Sequence, residues 1–319
     1  MINNTPTIKR NTLTVDKVHC GDVTLRAVRT SYVEDGRGDP VVLLHGGCVG
    51  GSAAHTWAST LRGLSDRYRV IAPDLLWSGY TDKPSVPVSL PLQAAHLAEF
   101  IDTLGLTSVR VVGQSVGAYL AARYACDRTS RVSHLAMIGS NTVALAMGVD
   151  FAVHAPDPTP PADECERQRR LVRRLFHRAE LITDDLIRGR AEIAGQPGVA
   201  EARTSFAGYS DALLARSPEV FQAFDLCPRL PSLQLPSVLI WGRDDRFAPV
   251  TIGRELAPLL PRTTYIEVDQ AGHAVFLDQA ETVNELLHRL FTGVLSLDDL
   301  PKLAHPGSTA RGGSNNGPL

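Results

Sequence analysis

The chain has 319 residues, 44% of them hydrophobic and 21% charged, with a formal net charge of -2. Its length suits one large α/β domain, or a domain carrying an insertion, with a substantial buried core. The near-neutral balance gives no reason to expect nucleic acid or an anionic membrane as partner, and no run approaches the roughly 18 apolar residues that span a bilayer. The opening "MINNTPTIKRNTLTVDKV" lacks the apolar core of a secretory signal. Five scattered cysteines (Cys20, Cys48, Cys126, Cys165 and Cys227) without C-x-x-C spacing argue against a disulfide framework or a zinc site. A cytoplasmic protein is the expectation.

In chain order, "PVVLLHG" (40–46) and "YRVIAPDLL" (68–76) read as buried strands. A helix over 92–106 follows, with Leu97, Phe100, Ile101 and Leu104 on one face and Gly105 as its stop. "VRVVG" (109–113) and "VSHLAMIG" (132–139) are further strands, separated by a helix that starts near Gly117. After about residue 142 the alternation ceases, and 143–231 carries proline-rich, arginine-rich and alanine-rich stretches without clear strands. Within "RQRRLVRRLFHR" the apolar Leu171, Val172, Leu175 and Phe176 fall on one helical stripe, which assigns the arginines to a solvated face. Strands return at "PSVLIWGRDD" (236–245) and "TTYIEVDQAGH" (263–273). A last helix places Val283, Leu286, Leu287, Leu290, Phe291 and Val294 at helical spacing. Alternating strands and helices imply a mostly parallel, doubly wound sheet. The domain reading is a core over 1–142 and 232–295, a helical insertion over 143–231 covering one end of the sheet, and a flexible tail over 296–319.

The chemistry concentrates at strand ends. Gly113-Gln114-Ser115-Val116-Gly117 is a strand-to-helix turn so short that only small flanking residues let the two elements approach, and it holds a serine hydroxyl out at the sheet's carboxyl end. Nucleophilic catalysis by serine also needs a base, an acid that orients the base, and donors for the developing oxyanion. His273 in "DQAGHAVF" supplies the base, an aspartate of "WGRDDRFAP" the acid, and the backbone of "HGGCVGG" (45–51) the donors. Each piece follows a strand, in the order serine, aspartate, histidine.

In these residues the chain resembles the α/β-hydrolase superfamily over roughly 30–295, which implies the α/β-hydrolase fold with a helical cap and no metal or organic cofactor. The resemblance implies Asp245 as the acid, through Gly242-x-x-Asp245-x-x-x-Pro249, with Asp244 pointing elsewhere. It implies backbone N–H groups of Gly47 and Val116 as the oxyanion hole, and His45 as a scaffold residue of that loop.

Within the superfamily, "HGGCVGGSAAHTW", "GYTDKP" (79–84), "WGRDDRFAP" and "ELITDDLIRGRAEIAGQPG" look like the meta-cleavage-product hydrolases, which cut a carbon–carbon bond in vinylogous 1,5-diketones. That resemblance implies Arg190 as the residue binding the substrate's anionic end, since a guanidinium suits a carboxylate or dienolate. The chain departs from the family at Val49 (usually proline), Thr56 (asparagine), Gln114 (asparagine) and Ala274 (tryptophan). With Gly46 and Cys48 of the oxyanion loop, Thr56, Gln114 and Ala274 are expected to contact substrate. His55 is a further pocket candidate, Cys48 reads as an inert thiol, and Trp77 stands where relatives commonly carry glycine. His154 and His177 read as surface residues. The expected function is a serine hydrolase cleaving a carbon–carbon bond in a small, partly apolar molecule. The alternatives are a carboxylesterase or lactonase, and a ligand-binding protein on the same fold. A homo-oligomer is compatible with all three.

Overall fold

The computed structural model describes residues 9–152 and 159–295. Eight strands form one sheet: β1 (Arg10–Cys20), β2 (Val23–Asp35), β3 (Pro40–Leu44), β4 (Arg69–Pro73), β5 (Val109–Gln114), β6 (Val132–Ile138), β7 (Ser237–Gly242) and β8 (Thr263–Val268). Their spatial order is β1-β2-β4-β3-β5-β6-β7-β8; β2 pairs antiparallel with β1 and β4, and the other pairings are parallel. Period-two alternation divides the parallel strands between two cores. Val42, Leu44, Val111, Leu239 and Trp241 face one, whereas Val41, Leu43, Val112, Val238 and Ile240 face the other.

Helices α1 (Ala53–Leu64), α2 (Leu90–Thr103) and α3 (Val116–Asp127) alternate with strands β3 to β6, and α4 (Asn141–Ala146) follows β6. Four helices then precede β7: α5 (Glu164–Leu175), α6 (Asp184–Ala194), α7 (Val199–Leu214) and α8 (Pro218–Phe224). Helix α9 (Val250–Leu256) lies between β7 and β8, and α10 (Val275–Asp278) and α11 (Ala280–Thr292) close the described chain. Core residues of α2, α3, α4 and α9 share one face of the sheet with each other, and those of α1 and α11 pack on the opposite face.

Two sequence expectations are revised, the first strands and the end of the last helix. The β1–β2 hairpin is additional. Its Gly21-Asp22 turn, with Gly21 at φ 56°, is a two-residue hairpin signal, but the fully buried positions of β1, Val15 and Val18, lie three apart and break the period of two. Helix α4, which spans residue 142, packs on α3 and α9. Helix α11 ends at Thr292 with Gly293 left-handed at φ 72°, leaving Val294 beyond the helix and 59% exposed. His154 and the tail 296–319 lie outside the described residues. No described helix is long and apolar enough to cross a membrane, and the five cysteines are unpaired.

The hairpin adds one pH-sensitive joint to the core. His96 of α2 is buried against β2, its Nε2 lies 2.8 Å from Thr30 Oγ1, and burial pushes its pKa down to about 4. The unfolded chain binds this proton near pH 6.5 and the native chain refuses it until near pH 4. Stability is therefore fully present above pH 6.5 and falls by up to about 1.4 kcal/mol per pH unit between those values. Urea midpoints at pH 7 and pH 5 are expected to differ more for wild type than for His96→Gln; equal differences would remove His96 as the cause.

Candidate active site

The sharp turn after β5 is built by close contacts that exclude side chains. A Cβ on Gly113 would stand 2.1 Å from the Gly117 carbonyl oxygen, and one on Gly117 would stand 2.2 Å from that of Leu44. Ser115 between them adopts φ 54°, ψ -120°, a conformation a non-glycine residue keeps only where its surroundings enforce it. They do so through both backbone groups. Ser115 N–H donates to the Ile138 carbonyl at 2.9 Å, and the Ser140 hydroxyl donates to the Ser115 carbonyl at 2.7 Å.

Loops after β7 and β8 bring up the other two groups. His273 Nδ1 lies 2.7 Å from Asp245 Oδ2, with both residues buried. Asp245 Oδ1 accepts the backbone N–H groups of Phe247 and Ala248 at 2.8 and 2.7 Å, which fixes the carboxylate. As an acceptor only, that carboxylate accepts a hydrogen bond from Nδ1–H, which keeps the ring proton on Nδ1 and leaves Nε2 free as a base. Nε2 is buried and has no hydrogen-bond partner among the described residues. The Phe247 ring lies over the imidazole with centroids 4.8 Å apart. Asp244 turns outward, its Oδ2 3.1 Å from Nδ1 of the exposed His177.

The loop after β3 lies against the turn. Cβ atoms placed on Gly46 and Gly47 would fall 2.4 Å from Gln114 Oε1 and 2.9 Å from Val116 Cγ2. Neither Gly47 nor Val116 spends its N–H on an acceptor among the described residues. His45 anchors this loop rather than facing substrate: its Nδ1–H donates to the Gly46 carbonyl at 2.7 Å, and its Nε2 accepts the Leu75 N–H at 3.0 Å. Burial holds its pKa below the ordinary histidine value, in keeping with a neutral ring that both donates and accepts.

Two cavities meet here. One of about 580 Å³ is lined by Gly47, Ser115 and Val116. The other, of about 50 Å³, is lined by His273 together with Gly46, Cys48, Thr56, Gln114, Arg190 and Ala274. The six positions expected to contact substrate thus gather in the small cavity, and His55 joins them. Arg190 is 7% exposed; its Nε donates to Gln168 Oε1 at 3.0 Å and one terminal nitrogen donates to the Val49 carbonyl at 2.9 Å. No carboxylate among the described residues pairs with it, and burial lowers its pKa. Burial likewise pushes the Cys48 thiol up, so it stays protonated and weakly nucleophilic. Trp77 sits at φ 67°, a left-handed position that favours glycine, and lines a third cavity of about 70 Å³ that shares Gly47 and Val116.

Sequence reasoning missed Gln168 and misplaced the arginines of α5. Gln168 Nε2 donates to Glu164 Oε1 at 2.8 Å, which turns its carbonyl toward Arg190. Arg167, Arg170 and Arg174 line the large cavity rather than forming only a solvated face. Their spacing of three and four residues was the available signal.

Residues 39–280 match the family model described as the alpha/beta hydrolase fold. The chain belongs to the α/β-hydrolase family. It is an enzyme, and the sheet order and strand directions are those of that fold. Among curated relatives, this hydrolase is 29% identical over 275 residues to the 2-hydroxy-6-oxo-2,4-heptadienoate hydrolase of Pseudomonas putida, covering 85% of this chain and 94% of that protein. It is 28% identical over 274 residues to a 2-hydroxy-6-oxononadienedioate/2-hydroxy-6-oxononatrienedioate hydrolase of Paraburkholderia phymatum, covering 82% and 90%. Among solved structures, a mutant of the meta-cleavage product hydrolase from Pseudomonas fluorescens, complexed with acetates, superposes with a TM-score of 0.68. It is 25% identical, with 90% of this chain and 99% of that chain covered.

Proposed function

We propose that this hydrolase cleaves a carbon–carbon bond in a meta-cleavage-product-type substrate, a conjugated acid whose distal ketone makes it a vinylogous 1,5-diketone. The observation that carries the reading is Arg190, a buried guanidinium facing the small cavity beside His273, with only neutral acceptors around it. Such a charge is costly to bury unless an anion completes the site. The names of the relatives above are consistent with a carboxylate at that end.

In this reading Ser115 attacks the ketone carbon while His273 Nε2 takes the hydroxyl proton, and Asp245 holds the imidazole and stabilises the imidazolium. The N–H groups of Gly47 and Val116 receive the oxyanion. The substrate reaches this adduct as its 2-oxo tautomer, having lost the 2-hydroxyl proton and gained a proton at C5, so the neighbour of the ketone carbon is saturated and collapse of the adduct breaks the bond between those two carbons. The electron pair enters the conjugated system anchored at Arg190, and His273 returns the proton to carbon. Water, activated by His273, then hydrolyses the acyl ester on Ser115. Helices α5 to α8 act as the cap that closes both cavities over the reacting bond.

The test compares kcat/KM for a 2-hydroxy-6-oxo-dienoate and for a short-chain p-nitrophenyl ester. The dienoate is expected to dominate. Ester turnover alone would assign the chain to ester or lactone chemistry, the direction in which Thr56 and Ala274 depart from the family's polar contacts.

A further inference from the structure

His55 carries a half-buried imidazole that neither the triad nor Arg190 uses. It lines the small cavity together with Arg190 and His273. Its ring makes no hydrogen bond among the described residues, and Nδ1 is buried without a partner. The ring has a fitted seat. Gly189, inside α6 and next to Arg190 in the chain, leaves room for it: a Cβ there would fall 2.9 Å from His55 Cε1 and 3.0 Å from Nε2, with no other atom within 4 Å. A glycine inside a helix is unfavourable relative to alanine, and here its missing side chain is the space the imidazole occupies. The contact sets the Nε2 edge against α6 and keeps Nδ1 beyond 4 Å of that point.

The surroundings keep this imidazole uncharged. Burial holds its pKa below the ordinary histidine value, and Arg190 acts in the same direction. The other charged groups facing it are Asp74 after β4, Arg10 of β1 and Glu192 of α6. His55 also lies in the first turn of α1, where its N–H donates to Ser52 Oγ at 3.3 Å. The positive end of a helix dipole disfavours an imidazolium there. A neutral imidazole keeps one nitrogen free to accept a proton at pH 7.

The proposed reaction needs such a base. The 2-hydroxyl must lose its proton before the bond beside the ketone breaks, and it sits on the carbon next to the carboxylate assigned to Arg190. His273 already serves Ser115. We propose that His55 takes the proton of the substrate's 2-hydroxyl and returns it, through one water molecule, to C5. The O–H bonding pair becomes the second bond of C2=O, the C2=C3 pair moves to C3=C4, and the C4=C5 pair captures the proton at C5. No oxidant or further reactant enters. Charge balances as well: Arg190 offsets the carboxylate, and the imidazolium offsets the dienolate oxygen while the proton is in transit. The inference rests on the carbon–carbon reading, whose substrate carries that hydroxyl.

The experiment separates proton transfer from cleavage by using the full chain with Ser115→Ala, which forms no adduct. A 2-hydroxy-6-oxo-dienoate is added in heavy water, and two signals are followed: decay of its conjugated chromophore and entry of deuterium at C5. Both are expected with Ser115→Ala, and adding His55→Gln is expected to slow them about 100-fold, within the range of one general base. The rates should fall on the acid side below about pH 6.5, as His55 takes up a proton of its own, and His55→Gln should abolish that limb. With Ser115 intact, His55→Gln should lower kcat on the dienoate. It should change turnover of a p-nitrophenyl ester less than about threefold, since an ester has no enol proton to move.

Exchange at an undiminished rate with Ser115→Ala and His55→Gln combined overturns the proposal. Equal losses on dienoate and ester overturn it too, since they make His55 a packing partner of Gly189 and nothing more. The two readings fail separately. Dienoate cleavage with exchange indifferent to His55→Gln keeps the carbon–carbon reading and removes the base. Ester turnover with neither exchange nor dienoate cleavage removes the carbon–carbon reading, and the role of His55 falls with it.

Discussion

Replacing Ser115 by alanine is expected to lower kcat by about 10⁴- to 10⁶-fold, and His273→Ala to do the same, with the double variant hardly worse than either. The geometry requires that non-additivity. Ser115 alone has no general base of its own, and His273 without a hydroxyl to deprotonate is an imidazole whose Nε2 has no partner among the described residues. Asp245→Asn should cost about 10⁴-fold, because an amide facing Nδ1 favours the wrong imidazole tautomer. It should also soften the 245–249 loop, whose Phe247 and Ala248 N–H groups both rest on Oδ1. Steady-state rates on the preferred substrate give these ratios. A serine-directed fluorophosphonate gives an independent check, since intact mass should show one adduct on wild type and none on Ser115→Ala. An adduct that survives the substitution would assign the nucleophile elsewhere.

The parts of this site legible in the sequence are those fixed by covalent neighbours. The Ser115 turn needs Gly113 and Gly117 because their Cβ atoms would strike carbonyl oxygens at 2.1 and 2.2 Å, and such a demand is written within five residues. Asp245 and His273 follow strands whose apolar runs are short and clear. Their 2.7 Å contact depends on β7 and β8 being neighbours, which no local period states. The β1–β2 hairpin escaped because its buried positions do not alternate. The α5 arginines were misassigned for a different reason. Amphipathic patterning separates an apolar inner face from a polar outer one, but a helix over a solvated cavity has two inner faces. On α5, Val172 and Leu175 pack into the core while Arg167, Arg170 and Arg174 border the cavity. Gln168 was invisible because its role depends on Arg190, 22 residues away on a different helix.

Substituting Arg190 by glutamine should separate recognition from stability. For a dienoate, kcat/KM is expected to fall by about 30- to 1000-fold, the equivalent of roughly 2–4 kcal/mol for one buried charge-assisted contact. For a neutral p-nitrophenyl ester the same substitution should change it less than about threefold, since that substrate presents no anion to the small cavity. The fold should tolerate the change. Glutamine forfeits the hydrogen bonds to Gln168 and the Val49 carbonyl, each worth about 1 kcal/mol, but it also removes a buried charge that no carboxylate of the described chain balances. The thermal midpoint is therefore expected to stay within a few degrees of wild type. Arg190→Lys should not restore dienoate activity, because a single ammonium cannot hold Gln168 Oε1 and the Val49 carbonyl and still present paired donors to a carboxylate. Equal losses on dienoate and ester would instead make Arg190 a strut between α6 and the loop after β3, its two neutral acceptors being its whole purpose. A selective loss makes those acceptors the means by which α5 and the loop hold a positive charge ready for an anionic substrate.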